Sequence, residues 1–434
     1  MIIELINTGS ELMLGRVLNT NQQWLCRQLA DLGYVVTRQV AVPDTASDIN
    51  CTVREALARA DLVITTGGLG PTSDDLTRDL IAQLLKLDLR EDSTVLAHIR
   101  RVFERFKRPM PERTRVQALI PAGATVLANP NGTAPGLAME VRPNLFRADG
   151  QPSWLIMLPG PPRELRPMFT DSVVPLLRRV LPLADRFVCR TLRTTGIGES
   201  VVEEKVGGPL QSRVEAGLDL GYCARPGQVD VRLAAQGADA EQRVQAAETI
   251  VRELLSPHIY GVEDEALEYI LVHLLTERKA TLALAESCTG GCIAHRITNV
   301  PGASAILLAG LVTYSNAAKQ KFLGVHADTL ARHGAVSEAV AREMAEGARR
   351  QTQADYALSV TGIAGPGGGT PDKPVGTVFI ALAGPAGTVA KHHLNPFDRE
   401  TFKQVTAQQA MELLRRKVLP DSGVVLPSPR PSSR

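Results

Sequence analysis

The sequence predicts an α/β protein of several domains, and three observations carry that prediction. Strand-like and helix-like patterns alternate through the first ~170 residues, the signature of a parallel sheet covered on both faces. Two apolar runs, Asp61 to Thr66 and Thr281 to Ala285, each open into a small-residue loop and then a helix. The chain has 434 residues, too many for one hydrophobic core, which suggests roughly two to four domains.

The elements follow in order. Ile2 to Thr8 is a near-continuous apolar strand. A helix is expected from about Asn21 to Leu32, with Trp24, Leu25, Leu29 and Leu32 on one face and Gly33 as its stop. Tyr34 to Val42 reads as a strand, Asp48 to Ala60 as a helix, and Leu155 to Leu158 as a later strand running into Pro159-Gly160-Pro161-Pro162-Arg163-Glu164. Pro175 and Pro182 bracket the last helix of this part. A smaller α+β stretch from Phe187 to Gly261 has strands near Val188–Thr194 and Val229–Gln236 and a helix over Ala240–Leu255. A third part begins near Ala266, with helices to Arg278, over Thr289–Thr298, Ser337–Gln353 and Arg399–Lys417, and strands at Thr281, Ala357–Thr361 and Thr377–Ala383. Domains are therefore expected over 1–172, 173–262 and 263–420, the middle one a connector or dimer-forming module. A Pro/Ser-rich tail, 421–434, is expected to be disordered.

Composition narrows the function. Net charge is +2, from 48 basic and 46 acidic residues, so no direct nucleic-acid binding is expected. No segment approaches ~20 unbroken apolar residues, so no membrane span is expected. Met1 to Leu5 lacks a basic region and a cleavage site and reads as a strand. The six cysteines, Cys26, Cys51, Cys189, Cys223, Cys288 and Cys292, form no CxxC pair, which fits reduced thiols in a cytoplasm.

Four loops of the first part carry chemistry-grade residues: Asn7 to Glu11, Gly67 to Asp75, Asn129 to Gly136 and Leu158 to Pro162. Ligands of open α/β sheets bind beyond the carboxyl ends of strands. Glycines there let the backbone approach a phosphate, with Thr8, Ser10 and Thr72 as hydroxyl donors. Asp74 and Asp75 would repel a bare phosphate, and a divalent cation such as Mg²⁺ between them and a diphosphate removes the conflict. They equally fit an N-cap and first-turn acid, and Glu11 fits a surface acid in a turn.

The third part assembles Glu286-Ser287-Cys288-Thr289-Gly290-Gly291, Pro301 to Ser304, Gly310 to Lys319, Gly334 to Ser337, Thr361 to Gly369 and Phe397-Asp398-Arg399. Hydroxyls, one tyrosine and one lysine recur without a histidine. That set disfavours a Ser-His-Asp triad and permits a Ser-Lys pair, in which a neutral lysine takes the serine proton. Free lysine titrates near ~10.4, so burial or positive charge must lower it. Ser287 and Thr289 could instead be N-caps, and Cys288 either a thiol activated by a helix N-terminus or a small buried residue.

The first set, Gly-Gly-Leu-Gly-Pro-Thr-x-Asp-Asp-x-Thr with Thr8 to Gly15 and Asn19-Thr20-Asn21, resembles the molybdopterin-binding-like fold and, more closely, the N-terminal domain of the CinA (competence/damage-inducible protein A) family. The second set, Ala-Glu-Ser-Cys-Thr-Gly-Gly, Val-Thr-Tyr-Ser-Asn-x-x-Lys, His-Gly-Ala-Val-Ser and Gly-Ile-Ala-Gly-Pro-x-Gly-Gly, resembles the CinA C-terminal domain, the PncC-type nicotinamide mononucleotide (NMN) deamidase. The first resemblance implies a metal-dependent ADP-ribose pyrophosphatase on a parallel-sheet domain. Asp74, Asp75 and Glu11 would then organise metal or water, and Thr8, Gly9, Gly67, Gly68, Gly70, Thr72, Asn131, Gly132, Pro135, Gly136 and Gly160 would hold the nucleotide. The second implies NMN + water → nicotinate mononucleotide + ammonia without a cofactor. Ser304 is then the expected nucleophile, Lys319 its base and Tyr314 its assistant. Ser287, Thr289, Gly290, Gly291, Thr361, Gly362, Gly365 and Arg399 would hold the substrate or polarise the amide. Ala303 stands where family members often have a second serine. A homodimer is expected. The competing reading is a nucleotide- or pterin-binding regulator linked to competence or DNA damage, which would bind NMN and release no ammonia.

Overall fold

The computed structural model describes residues 1–419, so the tail expected to be disordered lies outside the described residues. Contacts divide the chain into two compact units, Met1–Val188 and the chain from Cys189 on.

In the first unit the strands are β1 (Ile3–Thr8), β2 (Arg38–Val42), β3 (Leu62–Thr66), β4 (Leu89–Glu91), β5 (Leu119–Pro121), β6 (Thr125–Leu127), β7 (Gly136–Val141) and β8 (Ser153–Leu158). Its helices are α1 (Ser10–Met13), α2 (Thr20–Asp31), α3 (Ala46–Leu57), α4 (Thr77–Leu84), α5 (Ser93–Arg105), α6 (Pro162–Met168) and α7 (Val174–Val180). The main sheet has the order β2-β1-β3-β8-β7-β6. β2, β1, β3 and β8 run parallel, whereas β7 and β6 are antiparallel additions. The sheet is therefore mixed, because the short β6–β7 link cannot make the long crossover that parallel neighbours need.

Alternation along β3 shows how the layers form. Leu62 and Ile64 pack with Leu25 and Leu29 of α2 and Leu165 of α6, while Val63 packs with Val53 of α3 and Ile81 of α4. Val173, Leu176 and Leu177 lie in the first of these cores, so α7, the helix bracketed by Pro175 and Pro182, packs in this unit. The strand expected from Tyr34 starts only at Arg38, since Tyr34 turns into the core and donates its hydroxyl to the Leu181 carbonyl. β1, β3 and β8 end on one edge, which brings their following loops together.

The second unit carries β9 (Phe187–Thr195), β10 (Asp219–Arg225), β11 (Gln228–Gln236) and β12 (Ile259–Val262) in the order β10-β11-β9-β12, with α8 (Glu199–Glu215) and α9 (Ala240–Leu255). It continues with β13 (Leu282–Glu286), β14 (Leu307–Val312), β15 (Tyr356–Gly362), β16 (Thr377–Gly384) and β17 (Gly387–Leu394) in the order β14-β13-β15-β16-β17. β14, β13 and β15 are parallel, and β16 and β17 antiparallel. The accompanying helices are α10 (Leu267–Glu277), α11 (Cys292–Thr298), α12 (Asn316–Leu323), α13 (Ala327–His333), α14 (Glu338–Thr352) and α15 (Arg399–Val418). α10, α11 and α15 share one core with Leu282 and Leu284, and α12 and α14 share another with Ala283 and Ala285. α15 also reaches the four-stranded part, where Gln408 donates to Thr195 Oγ1 at 3.3 Å and Arg415 to the Pro257 carbonyl at 3.1 Å.

Candidate functional site

The loop after β13 is organised by a buried acid. Glu286 is 1% exposed, and its carboxylate accepts the backbone N–H groups of Gly291, Ile293 and Ala294 at 2.9–3.1 Å. This satisfies the orphan donors of the first turn of α11. Two consequences differ from expectation. The helix starts at Cys292, because Gly290 and Gly291 take left-handed φ of 62° and 93°. Its N-terminus already faces a carboxylate, so it is not the free anion site that a strand-loop-helix unit suggests. Neither Ser287 nor Thr289 caps it.

That frees Ser287 for another partner. Lys319, on α12, is 2% exposed, and its Nζ donates to Ser287 Oγ at 3.0 Å and to the Thr313 carbonyl at 2.9 Å. Burial holds the Lys319 ammonium below the usual lysine range. The hydroxyls of Thr289 and Thr313, both buried, have no hydrogen-bond partner among the described residues. Cys288 is buried, and burial pushes its thiol up to about 12, which favours the small buried residue over the activated thiol.

The other expected groups have partners of their own. Tyr314 is exposed, and its hydroxyl accepts from Arg399 at 2.6 Å. The second arm of the Arg399 guanidinium reaches the Gly365 carbonyl at 2.8 Å. Thr361 precedes Gly362, the last residue of β15, and its hydroxyl donates to the Ala335 carbonyl at 2.8 Å, which holds the Gly334–Ser337 loop. Ser304 is exposed on the turn Ala303–Ala305, and among the described residues Lys319 makes no hydrogen bond to it. The expected Ser304–Lys319 contact is thus replaced by Ser287–Lys319. Lys403 went unnoticed in the sequence. It lies one turn after Arg399 and lines a cavity of about 380 Å³ with Arg399 and Cys292. A Cβ on Gly290 would lie 3.9 Å from its Nζ.

The first unit holds a cavity of about 390 Å³ at the strand-end loops. Thr8, Gly9, Glu11, Gly67, Gly68, Gly70, Asp74, Asp75 and Gly160 line it as expected. The glycines are needed for close packing: a Cβ on Gly67 would lie 2.6 Å from the Thr8 carbonyl oxygen, and one on Gly68 would strike the Thr77 side chain. Thr8 Oγ1 in turn lies 3.3 Å from Thr77 Oγ1. Asn21 donates to the Gly160 carbonyl at 2.5 Å and so fixes the last loop.

Other expected residues stand elsewhere. Thr72 is absent from the wall and serves Asp75, to which its N–H and hydroxyl donate at 2.9 and 2.5 Å. From the Asn129–Gly136 loop the wall takes Thr133 and Ala134. Asn131 instead ties to the Arg163 carbonyl, Gly132 packs on the Glu164 carboxylate, Pro135 faces a different cavity, and Gly136 opens β7 against Met168. Three wall residues were missed: Asp44, Gln117 and Glu164. Asp44 exchanges hydrogen bonds with Ser10, and Glu164, 8% exposed, accepts from Asn129 Nδ2 at 2.8 Å. Gln117 is buried and donates to the Leu69 carbonyl. An acid just after a Pro-Gly-Pro-Pro strand end was the available signal for Glu164.

The wall therefore carries five carboxylates, Glu11, Asp44, Asp74, Asp75 and Glu164, and no Lys, Arg or His. Among the described residues no three His, Cys, Asp or Glu side chains gather as a ready metal cage. The donors are all oxygens, the set that suits a hard cation held partly by its substrate.

No helix among the described residues is long and apolar enough to cross a membrane. Three family models match the chain: the CinA C-terminal domain over residues 264–418, the family described as Probable molybdopterin binding domain over 4–179, and the damage-inducible protein CinA KH domain over 189–261. A CinA-like protein from Akkermansia muciniphila is 46% identical over 94% of this chain and 95% of its own length. A CinA-like protein from Gemmatimonas aurantiaca is 40% identical over 98% of each. The crystal structure of competence/damage inducible protein CihA from Agrobacterium tumefaciens is 41% identical, covering 34% of this chain and 92% of that one at a TM-score of 0.33. With curated relatives this similar along nearly their whole length, the chain belongs to the CinA family.

Proposed function

We propose that the chain hydrolyses two pyridine-nucleotide metabolites, NMN at the second unit and ADP-ribose at the first. The observation that carries the first activity is the buried Lys319 bonded to Ser287. A lysine whose ammonium is disfavoured by burial is a better acceptor for a serine proton than a free lysine, and its ammonium returns that proton to the departing nitrogen. The serine oxygen bonds to the carboxamide carbon, ammonia leaves, and water then cleaves the acyl-serine to give the carboxylate. Two routes use this base. Either Ser287 attacks, or Ser304 attacks and Ser287 passes the proton to Lys319. Arg399 and Lys403 carry the positive charge for the substrate's phosphate, Arg399 through its planar fork.

The test is incubation of purified protein with NMN, following ammonia and nicotinate mononucleotide, with Ser287→Ala, Ser304→Ala and Lys319→Ala alongside. Turnover by wild type and none by Lys319→Ala supports the reading. Stoichiometric NMN binding without ammonia would leave the domain a sensor. The serine that carries the trapped acyl adduct decides between the routes.

A second observation supports diphosphate cleavage. A diphosphate cannot settle against five carboxylates without accompanying cations. Asp74 and Asp75 would hold a divalent cation together with diphosphate oxygens, and the bound cation supplies positive charge against the diphosphate. The chain's own contribution is the glycine backbone of 67–70, which lets the diphosphate approach. Glu164, buried and fixed by Asn129, is the base for the attacking water.

A further inference from the structure

Ser304 and Lys319 belong to opposite ends of β14. Thr313 follows the strand, and its carbonyl accepts from Lys319 at 2.9 Å. Ser304 precedes the strand, on a turn that leads to the other end of β13, where the Ile306 carbonyl accepts the N–H of Leu282 at 2.7 Å. β13 and β14 are parallel, so Ser287 and Thr313 share one end of the sheet and Ser304 has the other. At ~3.3 Å per residue, the six residues of β14 hold Ser304 roughly 20 Å from Thr313. A serine there is beyond the reach of Lys319 in its own chain.

β14 is also an open edge. It stands first in the order β14-β13-β15-β16-β17 and, among the described residues, pairs with β13 alone. Leu307 to Val312 has no charge and no proline, the devices that keep an edge strand unpaired, and Leu308 and Val312 are each 49% exposed. Ala309 is five residues from Ser304 and five from Tyr314. Antiparallel pairing of two β14 strands about Ala309 therefore sets Ser304 of one copy opposite Tyr314 of the other. Tyr314 adjoins Thr313 and bonds Arg399 at 2.6 Å, so it marks the Lys319 end.

We propose that a second copy of this chain pairs along β14 and that its Ser304 completes the site of Ser287 and Lys319. The inference rests on the NMN-hydrolysis reading above and selects its second route, with the nucleophile supplied across a two-fold axis. A self-complementary strand pair builds two such sites at once, because each Ser304 meets the other copy's Lys319 end. The Ser304 oxygen bonds to the carboxamide carbon, and its proton passes through the Ser287 hydroxyl to the unprotonated Lys319 amine. The carbon–nitrogen bond breaks as that proton joins the leaving ammonia, and water then cleaves the acyl-serine. Ser304 is exposed, as a residue that serves a partner's site must be before pairing.

The test is complementation in the full chain. Ser304→Ala and Lys319→Ala chains, each expected to be inactive alone, are co-expressed with different tags and purified through both. Each mixed dimer then holds one complete site, so NMN turnover should return to about half the wild-type rate. No recovery, or a Ser304→Ala protein as active as wild type, overturns the proposal. Leu308→Glu sets like charges beside the two-fold axis at an exposed position. It should turn the wild-type dimer into a folded monomer that no longer releases ammonia, read by sedimentation with a thermal melt alongside. A monomeric wild type, a dimer that survives Leu308→Glu, or a monomer with wild-type turnover overturns the proposal as well. If wild type itself releases no ammonia, the NMN-hydrolysis reading fails, and sedimentation of Leu308→Glu still decides the β14 pairing.

Discussion

Lys319 donates to Ser287 across 3.0 Å while buried to 2% exposure, and its hydrogen-bond acceptors among the described residues are a hydroxyl and a carbonyl, not a carboxylate. Lysine is almost never fully buried unless paired with an acid. Burial lowers its folded-state pKa, so the charged form is the destabilised one.

Replacing Lys319 by Met should therefore separate stability from activity. Between the lowered folded pKa and the unfolded value near ~10.4, the unfolded chain binds more protons. Wild-type stability rises with pH across that window, and the cost of the charge is fully present below it. Lys319→Met should lose this slope and gain ~0.5–2 kcal/mol at neutral pH. NMN hydrolysis should fall about 10²–10⁴-fold. Denaturant melts from pH 6 to pH 10 check the slope. A variant less stable than wild type throughout would refute the account.

Glu286→Gln is nearly isosteric and should still be damaging. Both carboxylate oxygens accept backbone N–H groups, Oε2 from Gly291 and Ile293 and Oε1 from Ala294. An amide sets an NH₂ against one of these donors and removes the charge that the α11 N-terminus faces. The expected loss is ~1.5–3 kcal/mol, read as a lower denaturation midpoint. Ser287 is the next residue, so NMN turnover should drop as well.

The sequence made the strands and the loops legible, because apolar runs such as Ile3–Thr8 and Leu282–Ala285 are buried along their length and lead into loops that contain glycines. Pairing of side chains across loops was less legible. Nothing local says that Lys319 meets Ser287 and not Ser304, since that depends on how α12 returns over β13. The Glu286 cap was hidden for a related reason. Its partners lie five to eight residues on, beyond the Ser/Thr offsets that mark ordinary caps. The two antiparallel strands were missed because β6 spans only Thr125–Leu127 and the loop that leads into β7 was read for chemistry. Asp44 and Gln117 sit in unremarkable surroundings and reach the cavity only through the fold.

Gly68→Ala tests the first cavity independently. Gly68 has φ of +65°, which costs an L-residue ~1–2 kcal/mol, and an added Cβ would strike Thr77. Thr77 is fully buried, so the loop has to move. ADP-ribose cleavage should be lost while NMN deamidation persists at its wild-type rate. Loss of both activities in a folded variant would contradict independent sites.

Chelation should separate the two activities in the unmodified protein. The first cavity has five carboxylates and no basic side chain, so a diphosphate there depends on cations that arrive with it. The second site has its own positive charge in Arg399 and Lys403. EDTA should therefore abolish ADP-ribose cleavage, Mg²⁺ should restore it, and NMN deamidation should continue in both conditions. Asp74 and Asp75 differ in what surrounds them. Asp75 is held by the Thr72 N–H and hydroxyl, so Asp75→Asn should loosen the loop as well as the cation. Asp74 is more exposed, and although the Thr72 side chain also bonds it and holds its carboxyl below the usual range, Asp74→Asn should disturb the loop less and raise the Mg²⁺ concentration needed for half-maximal cleavage by about tenfold, the effect of ~1.4 kcal/mol of lost binding. Magnesium titrations of the two variants, run with thermal melts, distinguish a ligand from a loop support. An unchanged Mg²⁺ requirement in Asp74→Asn would remove that residue from the cation site.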